Sequence, residues 1–115
     1  MSSNAFHNSI FVFDAHCDTL GFATLPPKRR ADLTQWGDTP HLDLPRMRAG
    51  GINCQVFACY PGYARLNADP TGAALERVEA YFELQSRVPD QITLIQTADD
   101  LARLTPGGPI GAILG

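Results

Sequence analysis

The chain has no uninterrupted apolar stretch of the roughly 20 residues that a membrane-crossing helix needs, so none of its 115 residues is expected to span a membrane. Positive charge is not in surplus. Nine Lys and Arg stand against 12 Asp and Glu, a net charge of −3, and no basic stripe offers the electrostatic footprint of a nucleic-acid partner. Cysteine is scarce and odd in number. Cys17, Cys54 and Cys59 include no Cys-x-x-Cys pair, which argues against a disulfide framework or a thiolate zinc knuckle and favours a reducing, cytoplasmic setting. The first eight residues hold no Lys or Arg and no apolar core ahead of a cleavage site, so no secretory signal is expected. A Gly-x-Gly-x-x-Gly or phosphate loop is missing too, which removes nucleotide chemistry as a strong option. What is present, 44% apolar and 18% charged residues, is the composition of a globular protein.

Four apolar runs read as strands. Ile10-Phe11-Val12-Phe13 is β-branched and aromatic without alternation, which predicts a strand covered on both faces. Ile52 through Tyr60, Ile92 through Ile95, and Ile110 through Leu114 follow. Between them lie helix signals. Asp43 is placed to cap a short helix that Gly50-Gly51 stops, Asp69-Pro70 opens a longer one, and Thr97 opens a third with Asp99 and Asp100 in its first turn. In the long helix Ala74, Leu75, Val78, Tyr81 and Phe82 form the expected apolar stripe, leaving Glu76, Arg77 and Glu79 for the surface. Residues 21–42, with three prolines and the basic triplet Lys28-Arg29-Arg30, read as a long connection, and structureless connections of that length are commonly functional. Alternating strands and helices imply a parallel α/β sheet. The fourth apolar run lies one residue from the end of the sequence without a covering helix, so a continuation beyond it is expected.

Chemistry concentrates after the first run, in Asp14-Ala15-His16-Cys17-Asp18. Residues two apart on a strand share a face, so the His16 imidazole and the Asp18 carboxylate can converge on one divalent ion. Strand carboxyl ends are where parallel α/β folds bind ligands. His-x-Asp alone is a weak motif, and a capping Asp beside a hydrogen-bonded His is its ordinary reading. Asp14 carries two readings of equal weight: it accepts a hydrogen bond from His16 and orients it, or it caps the strand end. Cys17, between the two, should face the core. Asp43 and Arg46 read first as an N-cap with a local ion pair, Gln55 and Tyr60 as packing residues, and His7 and His41 as surface residues.

Three blocks in order carry a resemblance. Phe13-Asp14-Ala15-His16-Cys17-Asp18-Thr19-Leu20 resembles the opening metal-binding strand of the renal (membrane) dipeptidase family of zinc peptidases. His41 through Phe57, with Ala49-Gly50-Gly51 before a strand, resembles that family's next stretch. Ala98 through Gly115 resembles the run leading to its Ile-Glu-Gly. The resemblance implies a (β/α)₈ TIM barrel, of which these residues supply about the first four strands. It implies a two-zinc site with His16 and Asp18 on one zinc, a dipeptide substrate with a D-residue tolerated at the second position, and a homodimer. The family's bridging glutamate falls just beyond Gly115. Its further histidines and its later aspartate have no matching position here, so no catalytic residue is assigned within these 115 and the chain alone is expected to be inactive. Two other readings compete: a non-catalytic α/β domain whose His-x-Asp is structural, and a different metal-dependent amidohydrolase-type or phosphoester hydrolase on the same barrel.

Overall fold

The computed structural model describes residues 3–115. In chain order the elements are α1 (Ser3–His7), β1 (Phe13–Cys17), α2 (Leu20–Ala23), a 3₁₀ turn (Pro27–Arg29), α3 (Leu44–Ala49), β2 (Cys54–Phe57), α4 (Tyr63–Leu66), α5 (Pro70–Arg87), β3 (Ile92–Leu94), α6 (Ala98–Ala102) and β4 (Ile110–Leu114). The helix signals act where the sequence places them. The Asp43 side chain accepts from the Arg46 amide at the start of α3. Asp69 does the same for Gly72 in α5. Thr97 and Asp100 exchange side-chain-to-backbone bonds as a capping box on α6, satisfying amides that a helix start leaves unpaired.

All strand pairs are parallel, in the spatial order β1-β2-β4-β3. The four expected strands are therefore present, but β4 returns to lie between β2 and β3, and β3 flanks only the first three residues of β4. In register, Asp14, Gln55 and Ala112 share one face, while Phe13, Cys54 and Gly111 share the other. The first face is the core side: Phe57, Ile110 and Ala112 pack with Leu44, Met47, Tyr81 and Leu84, and the Phe57 and Tyr81 rings lie 6.2 Å apart. The second face is closed only at its lower end, by Leu104 and Ile95. They crowd Gly111 so closely that a Cβ there would lie 2.6 Å from Leu104 Cδ1.

Several expectations are corrected. The first strand runs over Phe13–Cys17, three residues later than the apolar run. Asn53 is the cause: its side-chain oxygen takes the Val12 amide at 2.7 Å, which interrupts the ladder just where it would begin. Nor is that strand covered on both faces, for Phe11 and Phe13 are about half exposed. The buried stripe of α5 is Ala73, Tyr81 and Leu84, while Leu75 and Phe82 face outward. Arg77 occupies part of the packing face that the periodicity assigns to solvent. It stays there because its guanidinium reaches Ala73 O at 3.0 Å and Pro61 O at 3.3 Å, so its stem packs while its head is bonded. Finally, the 21–42 connection is less bare than expected, holding the end of α2 and the 3₁₀ turn, and β2 is shorter than its apolar run.

Candidate metal centre

β1 delivers its side chains through an irregularity. Asp14 pairs with Gln55 and Cys17 with Phe57, so three steps on β1 oppose two on β2, a bulge of the kind that re-aims side chains beside functional sites. The Asp14 carboxylate spans it by accepting the His16 backbone amide at 3.1 Å. Asp14 thus meets the backbone of His16, while the His16 ring lies beside another group. Nε2 of His16 lies 3.0 Å from Oδ2 of Asp18, with the two side chains 66% and 61% exposed. Cys17, between them, packs partly against the core and also borders the cavity beside the pair. Burial pushes its thiol up to about 11, and a protonated thiol is a poor metal ligand.

The pair sits at the carboxyl end of β1 and borders a cavity of about 220 Å³. His16, Cys17, Asp18 and Thr19 line it from the end of β1, together with Phe22 of α2 and His41 and Leu42. His41 and Leu42 belong to the long connection, and a dense set of bonds fixes the stretch around them. Asp43, fully buried, accepts the Gly37 amide at 3.1 Å and the Arg46 amide at 2.9 Å, and it is ion-paired with the Arg46 guanidinium. Arg46 also reaches Gly37 O at 2.6 Å and Pro40 O at 3.3 Å, and it stacks 4.5 Å over the Trp36 ring. The Thr19 hydroxyl, one residue past Asp18, donates to Leu42 O, one residue past His41. Neither Asp43 nor Arg46 lines the cavity.

The other singled-out residues serve structure. Gln55 is buried on the core side, its amide donating to Val56 O at 3.0 Å. Tyr60 packs edge-on against Tyr63. Lys28, Arg29 and Arg30 lie exposed. His7 donates to Gly50 O at 2.7 Å, against Gly51, whose φ of +70° suits glycine alone. A second cavity, of about 250 Å³, lies between Asn8, Arg48 and Gly108, where the Arg48 guanidinium is engaged with Gly108 O and Gln91 O.

His16 and Asp18 fit a divalent ion. Two donors on one tetrahedral zinc lie about 3.3 Å apart, given metal–ligand bonds of about 2.0–2.1 Å, close to the 3.0 Å between them. They make up only part of a coordination sphere, since among the described residues no three His, Cys, Asp or Glu side chains are grouped to hold one ion.

A parallel α/β sheet with polar side chains at the carboxyl end of its first strand is part of a (β/α)₈ barrel, whose active sites lie at that end. The family model of the membrane dipeptidases, peptidase family M19, matches residues 2–115, and the chain belongs to that family. Among solved structures it is similar to the metallopeptidase "dipeptidase AC" of family M19, at TM-score 0.74 and 26% identity over 91% of this chain and 34% of that one. The probable dipeptidase PvdM from Pseudomonas aeruginosa shares the fold, at TM-score 0.63 and 23% identity over 97% of this chain and 29% of that one. No curated protein matches the chain. These 115 residues thus span about a third of the length of the solved dipeptidases they resemble.

Proposed function

We propose that the chain forms one wall of a zinc-dependent dipeptidase site, in which His16 and Asp18 bind one of two zinc ions and the substrate is a dipeptide cleaved at its single peptide bond. The observation that carries this is the His16–Asp18 pair, 3.0 Å apart and open to solvent, at the carboxyl end of the first strand in a member of the membrane dipeptidase family. When bound, the metal pair would supply an activated water and polarise the scissile carbonyl, with His16 and Asp18 holding one of its ions. The residues of this chain position rather than react. Asp14 fixes the bulge that aims His16, Asp18 offers its second oxygen beside the ring, and Thr19 ties the strand end to the facing loop. With only two donors the 115 residues alone hold the ion weakly and are inactive. The intact protein acts as a homodimer in the cytoplasm, a setting supported by three free cysteines. No helix among the described residues is long and apolar enough to cross a membrane.

Zinc-loaded intact protein is expected to hydrolyse simple dipeptides but not tripeptides, and His16→Ala or Asp18→Ala to lower kcat/KM by at least about a hundredfold, since losing a group that merely supports a metal ligand already costs about 10–100-fold. Failure of the zinc-loaded protein to cleave any dipeptide would refute the reading. The 115-residue chain should show no turnover above background.

A further inference from the structure

Of the three histidines, His41 is the one whose ring has no hydrogen-bond partner among the described residues: His7 is bonded to Gly50 O and His16 to Asp18. Yet the backbone on either side of it is held, Pro40 O accepting from the Arg46 guanidinium at 3.3 Å. Leu42 O is bonded to Thr19, and Asp43, two residues on, is buried and clamped by Arg46. The ring borders the cavity shared with His16 and Asp18, but the three do not group as ligands of one ion. A fixed backbone carrying an unengaged polar ring on the wall of a cavity is what a recognition site requires, because the ordering cost is met before the ligand arrives.

Resting on the dipeptidase reading, we infer that His41 is a substrate-positioning residue. Its imidazole donates a hydrogen bond to an oxygen of the dipeptide, while Phe22 and Leu42 beside it bracket an apolar substrate side chain. The cavity, about 220 Å³, has room for one such residue. The connection between β1 and α3 therefore sets the preference for dipeptides that carry an aliphatic side chain over glycylglycine.

The test uses the intact, zinc-loaded protein. His41→Ala is expected to raise KM for an aliphatic dipeptide about tenfold, the effect of losing one hydrogen bond, with kcat within about threefold and zinc content unchanged. His41→Gln, which keeps a donor, should recover most of the loss and serves in its place if the alanine variant does not fold. In NMR spectra, a non-hydrolysable phosphinate dipeptide analogue should shift the His41 ring protons and leave those of His7, on the Gly50 side, in place. An unchanged KM with an unshifted His41 ring overturns the inference, and so does loss of zinc from His41→Ala, which would make the ring a ligand. A wild type that cleaves no dipeptide, yet shows the ring shift with the analogue, would remove the dipeptidase reading and leave the recognition role of His41 standing.

Discussion

Asp43 has no exposed surface, and a carboxylate in that position persists only where charge and hydrogen bonds replace water. Two backbone amides and the Arg46 guanidinium do so here. Removing Arg46 leaves the carboxylate buried and uncompensated, so Arg46→Ala should cost about 2–4 kcal/mol, toward the lower part of the range for broken buried pairs because Arg46 itself keeps 23% exposure. Asp43→Ala loses the α3 cap as well. The double variant should cost clearly less than the sum of the two, which chemical denaturation of all four proteins would reveal; strict additivity would mean that the two side chains act independently. The sequence shows half of this arrangement. Asp43 followed three residues later by Arg46 is legible as a cap with a local ion pair, but the Gly37, Pro40 and Trp36 contacts that turn the pair into a clamp lie in a segment without periodicity. Likewise His16 and Asp18 are legible from their spacing, whereas the place of His41 depends on the Thr19–Leu42 bond, which joins residues 23 apart and leaves no local trace.

At the scale of elements, the signals that read correctly are those that act over three or four residues: the caps of α3, α5 and α6. Those that misread depend on what lies across a gap. The stripe of α5 is displaced because Arg77 finds carbonyl partners on Ala73 and Pro61, which apolar periodicity does not register. The start of β1 is displaced by one side-chain bond from Asn53. Arg87, at the end of α5, holds the loop between α2 and α3 through an exposed pair with Asp32 at 2.9 Å and a longer bond to the Thr34 hydroxyl at 3.4 Å, beside the buried Leu33. The Arg87 side chain holds the Asp32 carboxyl down to about 2, with the Thr34 amide and hydroxyl assisting. A depressed carboxylate stabilises the fold above its ordinary value of about 3.9 and loses that contribution as the pH falls through the folded value. The docking of this loop on α5 should therefore weaken between about pH 4 and pH 2. Arg87→Ala should make the loop more accessible at neutral pH and flatten the change across that window. Hydrogen exchange at residues 32–35, followed from pH 6 to pH 2, measures both; equal protection in the two proteins at neutral pH would show that the pair does not hold the loop.

In the whole molecule, the two faces of the sheet differ in a way that governs its behaviour. The helix-covered face holds the contiguous core of Leu20, Met47, Phe57, Tyr81 and Ile110, whereas the opposite face carries Phe13, about half exposed, beside the exposed Ala15. Ile10 and Phe11, just before β1, are exposed to a similar degree. β1 also forms one edge of the sheet, so apolar side chains and unpaired backbone groups occur on the same strand, the combination that templates association. In a barrel this face is the interior, filled by side chains from the remaining strands, and the chain spans 34% of a solved dipeptidase of its family. The 115-residue chain by itself should then bind a hydrophobic dye such as ANS, unfold over a broad temperature range, and associate at micromolar concentration. Phe13→Lys should reduce both dye binding and association, because a charge on an open edge strand opposes pairing. The same substitution in the intact protein should be strongly destabilising, since there it puts a charge into a closed interior. Light scattering and dye fluorescence on the isolated chain, with thermal unfolding of the intact protein, separate the two effects. A monomeric chain with a sharp transition and no dye binding would show that the open face is tolerated by water and that the 115 residues form a self-sufficient domain.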